Sequence, residues 1–83
     1  MARNDGMVTD EATGLITEGV SGNYEPMPGR MATRDWFVAY PPNVVAYGHE
    51  DDRVSRAWGS GDTRKDALRA ALEYMKKHGA VIS

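Results

Sequence analysis

The clearest pattern of apolar and polar positions lies near the C-terminal end, in residues 61–79 (GDTRKDALRAALEYMKKHG). Its apolar residues recur at the three- and four-residue spacing of one helical face, and they are Leu68, Ala71, Leu72 and Met75. Thr63 offers an N-cap hydroxyl, and Gly79 is the residue type that most readily ends a helix in the left-handed conformation. The pattern predicts a helix between Thr63 and Gly79 that buries Leu68 and Leu72 against the rest of the protein.

Three shorter patterns before this helix are typical of β-strands. Residues 35–40 (DWFVAY) are aromatic and β-branched, and two prolines follow them directly. Residues 44–47 and 53–58 have similar patterns and are separated by a polar turn at residues 49–52. This order predicts an α+β fold, in which a three-stranded antiparallel meander is followed by one C-terminal helix (β-β-β-α).

The first part of the chain has a different composition. Residues 1–32 are rich in glycine and carry five carboxylates against two arginines, whereas residues 33–83 are nearly balanced in charge. We expect residues 1–32 to form a glycine-rich acidic arm, either mobile or packed on a partner, and residues 33–83 to form the β-β-β-α domain. An extra short strand at residues 15–17 is the alternative for part of this arm.

Composition limits the class of protein. The chain has 83 residues, a net charge of −2 and no cysteine, which indicates one domain without disulfides or thiolate metal sites. No apolar run approaches the ~20 residues of a membrane span, and the N-terminus lacks the apolar core of a signal peptide. We therefore expect a cytoplasmic protein with no membrane partner. A domain this small leaves homodimerisation open as a way to bury more apolar surface.

Residues suited to catalysis are few. His78 falls in the last turn of the predicted helix, where positive charge is favourable, and His49 precedes three carboxylates at a predicted turn. Neither histidine belongs to a spacing typical of a metal site, and the serines lack the context of an activated nucleophile. We expect no catalytic residue, no metal, no cofactor and no enzymatic activity.

Aromatic and charged side chains on the predicted strands are better candidates, for binding. Aromatic residues from three strands would form an exposed patch if they shared the sheet face away from the helix, and they would belong to the core otherwise. Three consecutive carboxylates and two nearby arginines would select a partner by charge, or would only keep a hairpin tip soluble. The predicted partner-binding residues are Trp36, Tyr47, Glu50, Asp51, Asp52, Arg53, Arg56 and Trp58.

Residues 59–71 (GSGDTRKDALRAA) resemble the last strand-to-helix junction of the double-stranded RNA-binding domain, whose pattern is G-x-G-x-S-K-K-x-A-K before an alanine-rich helix. The resemblance assigns phosphate contacts to Arg64 and Lys65. The third basic position of the family is Leu68 here, with Arg69 beside it. The first helix of that family has no counterpart in this chain. The resemblance implies an alternative function as an RNA-binding module.

Residues 57–72 (AWGSGDTRKDALRAAL), after an aromatic strand, are also similar to small phage-encoded proteins in which an A-x-G-x-T turn precedes an alanine-rich helix. Small cysteine-free α+β proteins are frequent among phage anti-CRISPR proteins, which bind and block Cas proteins. The similarity implies an inhibitor acting in a bacterial host cell on a Cas protein or another nucleic-acid-binding complex. Because Asp62 and Asp66 flank the basic pair, we rank protein binding above RNA binding.

Overall fold

The computed structural model describes residues 6–82, which form a four-stranded antiparallel sheet with helices on both faces. The strands lie in the sheet in chain order, and they are β1 (Val8–Thr9), β2 (Ile16–Met27), β3 (Arg30–Tyr40) and β4 (Gly59–Gly61). The helices are a 3-10 helix (Pro42–Tyr47) and α1 (Glu50–Ser55), both between β3 and β4, and α2 (Arg64–His78) after β4. The fold is therefore α+β, an antiparallel sheet with a C-terminal helix.

The long hairpin of β2 and β3 is the centre of the sheet. Its pairing runs from Ile16 opposite Tyr40 to Met27 opposite Arg30. Gly29 closes the turn with a φ of +77°, a left-handed conformation that glycine adopts without steric cost. β1 and β4 pair only with the end of the hairpin nearest the core. The other half of the hairpin extends past them, in a molecule that measures 44 × 27 × 22 Å.

Alternation along the strands creates two apolar clusters, one on each face of the sheet. On the first face, residues of the hairpin pack with the 3-10 helix, and the buried members are Ile16, Val20, Val38, Tyr40 and Val44. Val54 of α1 and Ala57 pack against this cluster. On the second face the hairpin packs with α2, and the buried members are Leu15, Ala39, Ala67 and Ala71.

α2 has the predicted ends. The Thr63 hydroxyl accepts a hydrogen bond from the Asp66 N–H at 3.1 Å, and Gly79 follows the helix in the left-handed conformation with a φ of +65°. The prediction that Leu72 is buried is wrong, because 42% of this residue is exposed. The two residues buried completely are Ala67 and Ala71, while Leu68 is half-buried.

Glycines on β4 explain why alanines rather than leucines form this contact. A Cβ atom on Gly59 would lie only 2.7 Å from the Ala67 carbonyl oxygen, and one on Gly61 would lie 2.9 Å from the Asp66 carbonyl carbon. The backbone of β4 therefore lies directly on the backbone of α2, at a distance that excludes larger side chains. Leu72 lies outside this narrow contact.

Two of the predicted strands are helical in the structure. Residues 44–47 belong to the 3-10 helix, and residues 50–55 form α1 where a polar turn and the start of a strand were expected. The proline at the start of the 3-10 helix is compatible with a first helical turn. Three carboxylates in the first turn of α1 suit the positive end of its dipole. The third predicted strand, residues 53–58, is therefore wrong, and the strand that does form here, β4, begins at Gly59, where a turn was expected.

The predicted division between an arm and a domain at residues 32/33 falls inside β3 and is wrong for the described part of the chain. β2 pairs with β3 along most of its length, and residues 15–20 are buried in the same core. Residues 1–5 of the predicted arm lie outside the described residues. Among residues 6–82, no helix combines the length and apolar character needed to cross a membrane.

We predict that Gly59→Ala destabilises the protein by about 1–3 kcal/mol, because the added methyl group would have to separate β4 from α2. Thermal and urea unfolding would measure the change. Gly6→Ala is the matched control, since nothing lies within 4 Å of a Cβ atom there, and its effect should stay within about 0.5 kcal/mol. Equal effects of the two substitutions would show that β4 and α2 are not in close contact.

Candidate functional site

A buried ion pair attaches α1 to the sheet. Glu18 of β2 lies between Ile16 and Val20 on the first face, and its carboxylate accepts hydrogen bonds from Arg53 Nε at 2.9 Å and Nη2 at 2.7 Å. The Tyr40 hydroxyl donates to the same carboxylate at 2.7 Å. The side chains of Glu18 and Arg53 are only 7% and 10% exposed. These three residues form a network that we call the Glu18 network.

The Glu18 network connects four parts of the chain. Arg53 also donates to the Gly48 carbonyl oxygen, so its guanidinium joins β2, α1 and the end of the 3-10 helix. Tyr40 adds β3 as the fourth part. Within residues 6–82, every buried polar side-chain atom has a hydrogen-bond partner, so this network is satisfied in spite of its burial. Its function in the structure is to fix the position of the segment that carries Tyr47 and Arg56.

Burial changes the acid–base properties of the network. Burial and the hydrogen bond to the Glu18 carboxylate raise the pKa of the Tyr40 hydroxyl well above its ordinary value. The hydrogen bond to Glu18 also raises the pKa of the Arg53 guanidinium. Tyr40 is completely buried, so a substrate could not reach its hydroxyl. We therefore interpret the network as structural rather than catalytic.

Next to this network, rings and one guanidinium meet at the surface. The Arg56 guanidinium carbon lies 3.7 Å from the centre of the Tyr47 ring. Trp58 stacks on Tyr74 with ring centres 5.5 Å apart, and Tyr74 contacts His78 at 4.4 Å. The residues Tyr47, Arg56, Trp58 and Tyr74 share the lining of one open concavity of about 310 Å³. We call these four residues the aromatic–arginine surface.

Several elements build this surface together. Tyr47 ends the 3-10 helix, Arg56 follows α1, Trp58 precedes β4, and Tyr74 lies on α2. Tyr47 and Tyr74 are 47% and 38% exposed, so much of their ring area remains available to a partner. Each ring already contacts a neighbouring side chain, which lowers the entropy lost when the surface binds something else.

The structure brings together three of the eight predicted partner-binding residues, which are Tyr47, Arg56 and Trp58. Asp51 and Asp52 are exposed on the first turn of α1, and Glu50 beside them is half-buried. Arg53 does not belong to a contact surface, because it is buried at 8% exposure in the Glu18 network. Sequence reasoning missed Tyr74, although its four-residue spacing from His78 on the predicted helix was a usable signal.

Trp36 lies away from the aromatic–arginine surface. It is half-buried on the first face of the hairpin, and its ring covers Gly22 of β2. A Cβ atom added to Gly22 would lie only 3.2 Å from the Trp36 ring. The Arg34 guanidinium carbon lies 5.9 Å from the Trp36 ring centre. Trp36 therefore packs along the hairpin and borders a separate surface.

The residues assigned to phosphate binding do not form one site. Arg64 Nη1 donates to the Thr17 carbonyl and hydroxyl oxygens, each at 3.0 Å, and its guanidinium carbon lies 4.8 Å from the Phe37 ring centre. Arg64 thus connects α2 to the sheet. Lys65 and Arg69 are exposed, and Arg69 is 4.0 Å from the Asp66 carboxylate. Arg64 therefore lies against the sheet, while Lys65 and Arg69 lie on the exposed side of α2.

Among residues 6–82, no group of three or more histidine or carboxylate side chains is arranged to hold a metal ion. Comparisons of the chain with protein-family models, curated proteins and solved structures gave no match. The aromatic–arginine surface is therefore the main structural basis for a function.

We predict that Tyr40→Phe reduces the loss of stability at alkaline pH. The unfolded chain releases the tyrosine proton near pH 10, while the folded protein retains it, so the contribution of Tyr40 is lost as pH rises above about 10. Urea unfolding of both proteins between pH 8 and 11 would measure the difference. The same decline in the wild type and the variant would contradict a buried, hydrogen-bonded Tyr40.

Proposed function

We propose that this chain is a non-enzymatic protein-binding module that contacts its partner through the aromatic–arginine surface. The observation that carries the proposal is the convergence of Tyr47, Arg56, Trp58 and Tyr74 on one concavity. Tyrosine, tryptophan and arginine are the residue types most enriched in the energetic centres of protein interfaces.

The surroundings of this surface favour a partner with basic residues. The first turn of α1 presents Asp51 and Asp52, both exposed, on the helix that leads to Arg56. Exposed charges of this kind contribute little to folding, but they steer association and select partners by complementary charge. Lysine or arginine side chains of a partner that otherwise bind phosphate groups would pair well with Asp51 and Asp52.

The most concrete form of this function is an anti-CRISPR-like inhibitor. The similarity to small phage proteins implies that the target is a Cas protein or Cas complex, which holds nucleic acid with basic residues. Binding at the aromatic–arginine surface would place the α1 carboxylates against those residues and block access of the nucleic acid. This mechanism needs no chemical step from the chain itself.

We predict that Tyr47→Ala and Arg56→Ala each weaken binding to the partner by about 2 kcal/mol, or roughly 30-fold, because both side chains would lie in the centre of the interface. The measurement is inhibition of nucleic-acid cleavage by a panel of purified Cas effector complexes, followed by calorimetric titration of the inhibited complex. The fold of each variant should persist by circular dichroism, since both side chains are exposed.

Matched controls are available in the same chain. Tyr24→Ala removes an exposed tyrosine from the hairpin, and Arg69→Ala removes an exposed arginine from α2. Both controls should inhibit as the wild type does. Inhibition that is lost equally in the controls would contradict the proposed surface. Absence of inhibition across the whole panel would contradict the anti-CRISPR-like form. In that case a pull-down from a bacterial lysate would test protein binding by itself. Proteins retained by the wild type and by both controls, but not by Tyr47→Ala, would support it.

A further inference from the structure

The outer edge of β3 has backbone groups that no strand of residues 6–82 pairs with. The Ala39 carbonyl accepts from the Trp58 N–H at 2.9 Å on the side of β4. Because backbone groups of alternate residues point to the same side of a strand, those of Met31, Thr33 and Asp35 point to this side too. β4 pairs only with residues 37–39. We call the backbone of residues 31–35 on this side the open edge.

We propose that the open edge binds an extended, acidic segment of a partner protein as an added antiparallel or parallel strand. Extended peptides commonly add to an exposed sheet edge, where main-chain hydrogen bonds provide affinity and alternate side chains provide specificity. The open edge lies in the half of the hairpin that extends beyond β1 and β4, so a peptide can approach it without displacing another element.

Charge on the first face of the open edge favours carboxylates, whereas Asp35 lies on the second face, opposite the valines of a strand that alternates valine with glutamate. Arg30 and Arg34 both lie on the first face of β3, separated by Ala32, and Trp36 lies on the same face. Asp62 follows β4 directly, and its carboxylate already accepts from Arg34 Nη2 at 3.2 Å. Asp62 thus shows that a carboxylate just beyond the end of β4, alongside β3, can bind an arginine of the first face. An added strand in the same position alongside β3 would bring further carboxylates next to Arg30.

A second copy of this chain fits the open edge less well. Antiparallel self-pairing centred on Thr33 would place Arg34 diagonally opposite Arg34 and Arg30 of the other copy. Centring the pairing on Ala32 would place Arg30 directly opposite Arg34. Like charges in these cross-strand positions are destabilising. The arginines therefore act against self-association while they attract an acidic strand, as charged side chains on edge strands commonly do.

This proposal concerns a different surface from the aromatic–arginine surface, so each can fail without the other. The test uses the full-length ¹⁵N-labelled protein and two capped seven-residue peptides, one alternating valine with glutamate and the other alternating valine with lysine. We expect the glutamate peptide to cause saturable shifts of the Met31, Thr33 and Asp35 amide resonances. The lysine peptide should bind at least about tenfold more weakly, because it would meet Arg30 and Arg34.

Two proline variants separate the two sides of the hairpin. Thr33→Pro removes an N–H from the open edge without removing a β2–β3 backbone hydrogen bond, so it should abolish the response to the glutamate peptide. The hydrogen bond from Thr33 Oγ1 to Asn23 Oδ1 is lost in both proline variants, so its loss does not distinguish them. Asn23→Pro is the matched control, because Asn23 lies directly opposite Thr33 in the register and its N–H points to the other side of the hairpin. The control should bind the peptide as the wild type does.

Several results would overturn the proposal. These are no saturable shifts, equal binding of the two peptides, equal loss of binding in the two proline variants, or shifts confined to other elements. Shifts of the open-edge amides that depend on protein concentration without peptide would assign the edge to a second copy instead. If either proline variant fails to fold, the comparison of the two peptides on the wild-type protein decides the question.

Discussion

The position of α1, and with it the aromatic–arginine surface, depends on the burial of Glu18 with Arg53. Removing two charges from water is costly, and the cost is offset here by two hydrogen bonds between them and a third from Tyr40. This arrangement fixes α1, a helix of only six residues that would be unstable alone. The position of α1 in turn places Arg56 against Tyr47. The proposed contact surface is therefore a consequence of a charge pair in the core.

The two faces of the sheet are stabilised in different ways. On the second face, glycines of β4 and alanines of α2 allow two backbones to approach closely, while Leu15, Phe37 and Trp58 pack around this contact. On the first face, an ion pair and a small apolar cluster hold short helical segments. The surface residues lie where these two kinds of packing meet, with Trp58 at the start of β4 and Tyr74 on α2.

Local signals in the sequence predicted α2 and the core part of β3, because caps and apolar spacing act over a few residues. They predicted only the start of β2, as an alternative short strand at residues 15–17, since Thr17 and Glu18 interrupt the apolar pattern and are buried through partners distant in the chain. They also failed for α1, whose stability depends on Glu18, 35 residues before Arg53. For the site, residue type indicated Tyr47, Arg56 and Trp58, but only the tertiary contacts show that Arg53 is buried and that Tyr74 joins the surface.

A double-mutant cycle on the Glu18–Arg53 pair tests this account most directly. Glu18→Leu and Arg53→Met each leave one buried charge without its partner, whereas the double variant leaves neither charge. Unfolding in urea should show each single variant destabilised by about 3–5 kcal/mol, and the double variant more stable than either single variant. If the effects of the two substitutions simply add, the pair is not coupled, and the central role assigned to it is wrong.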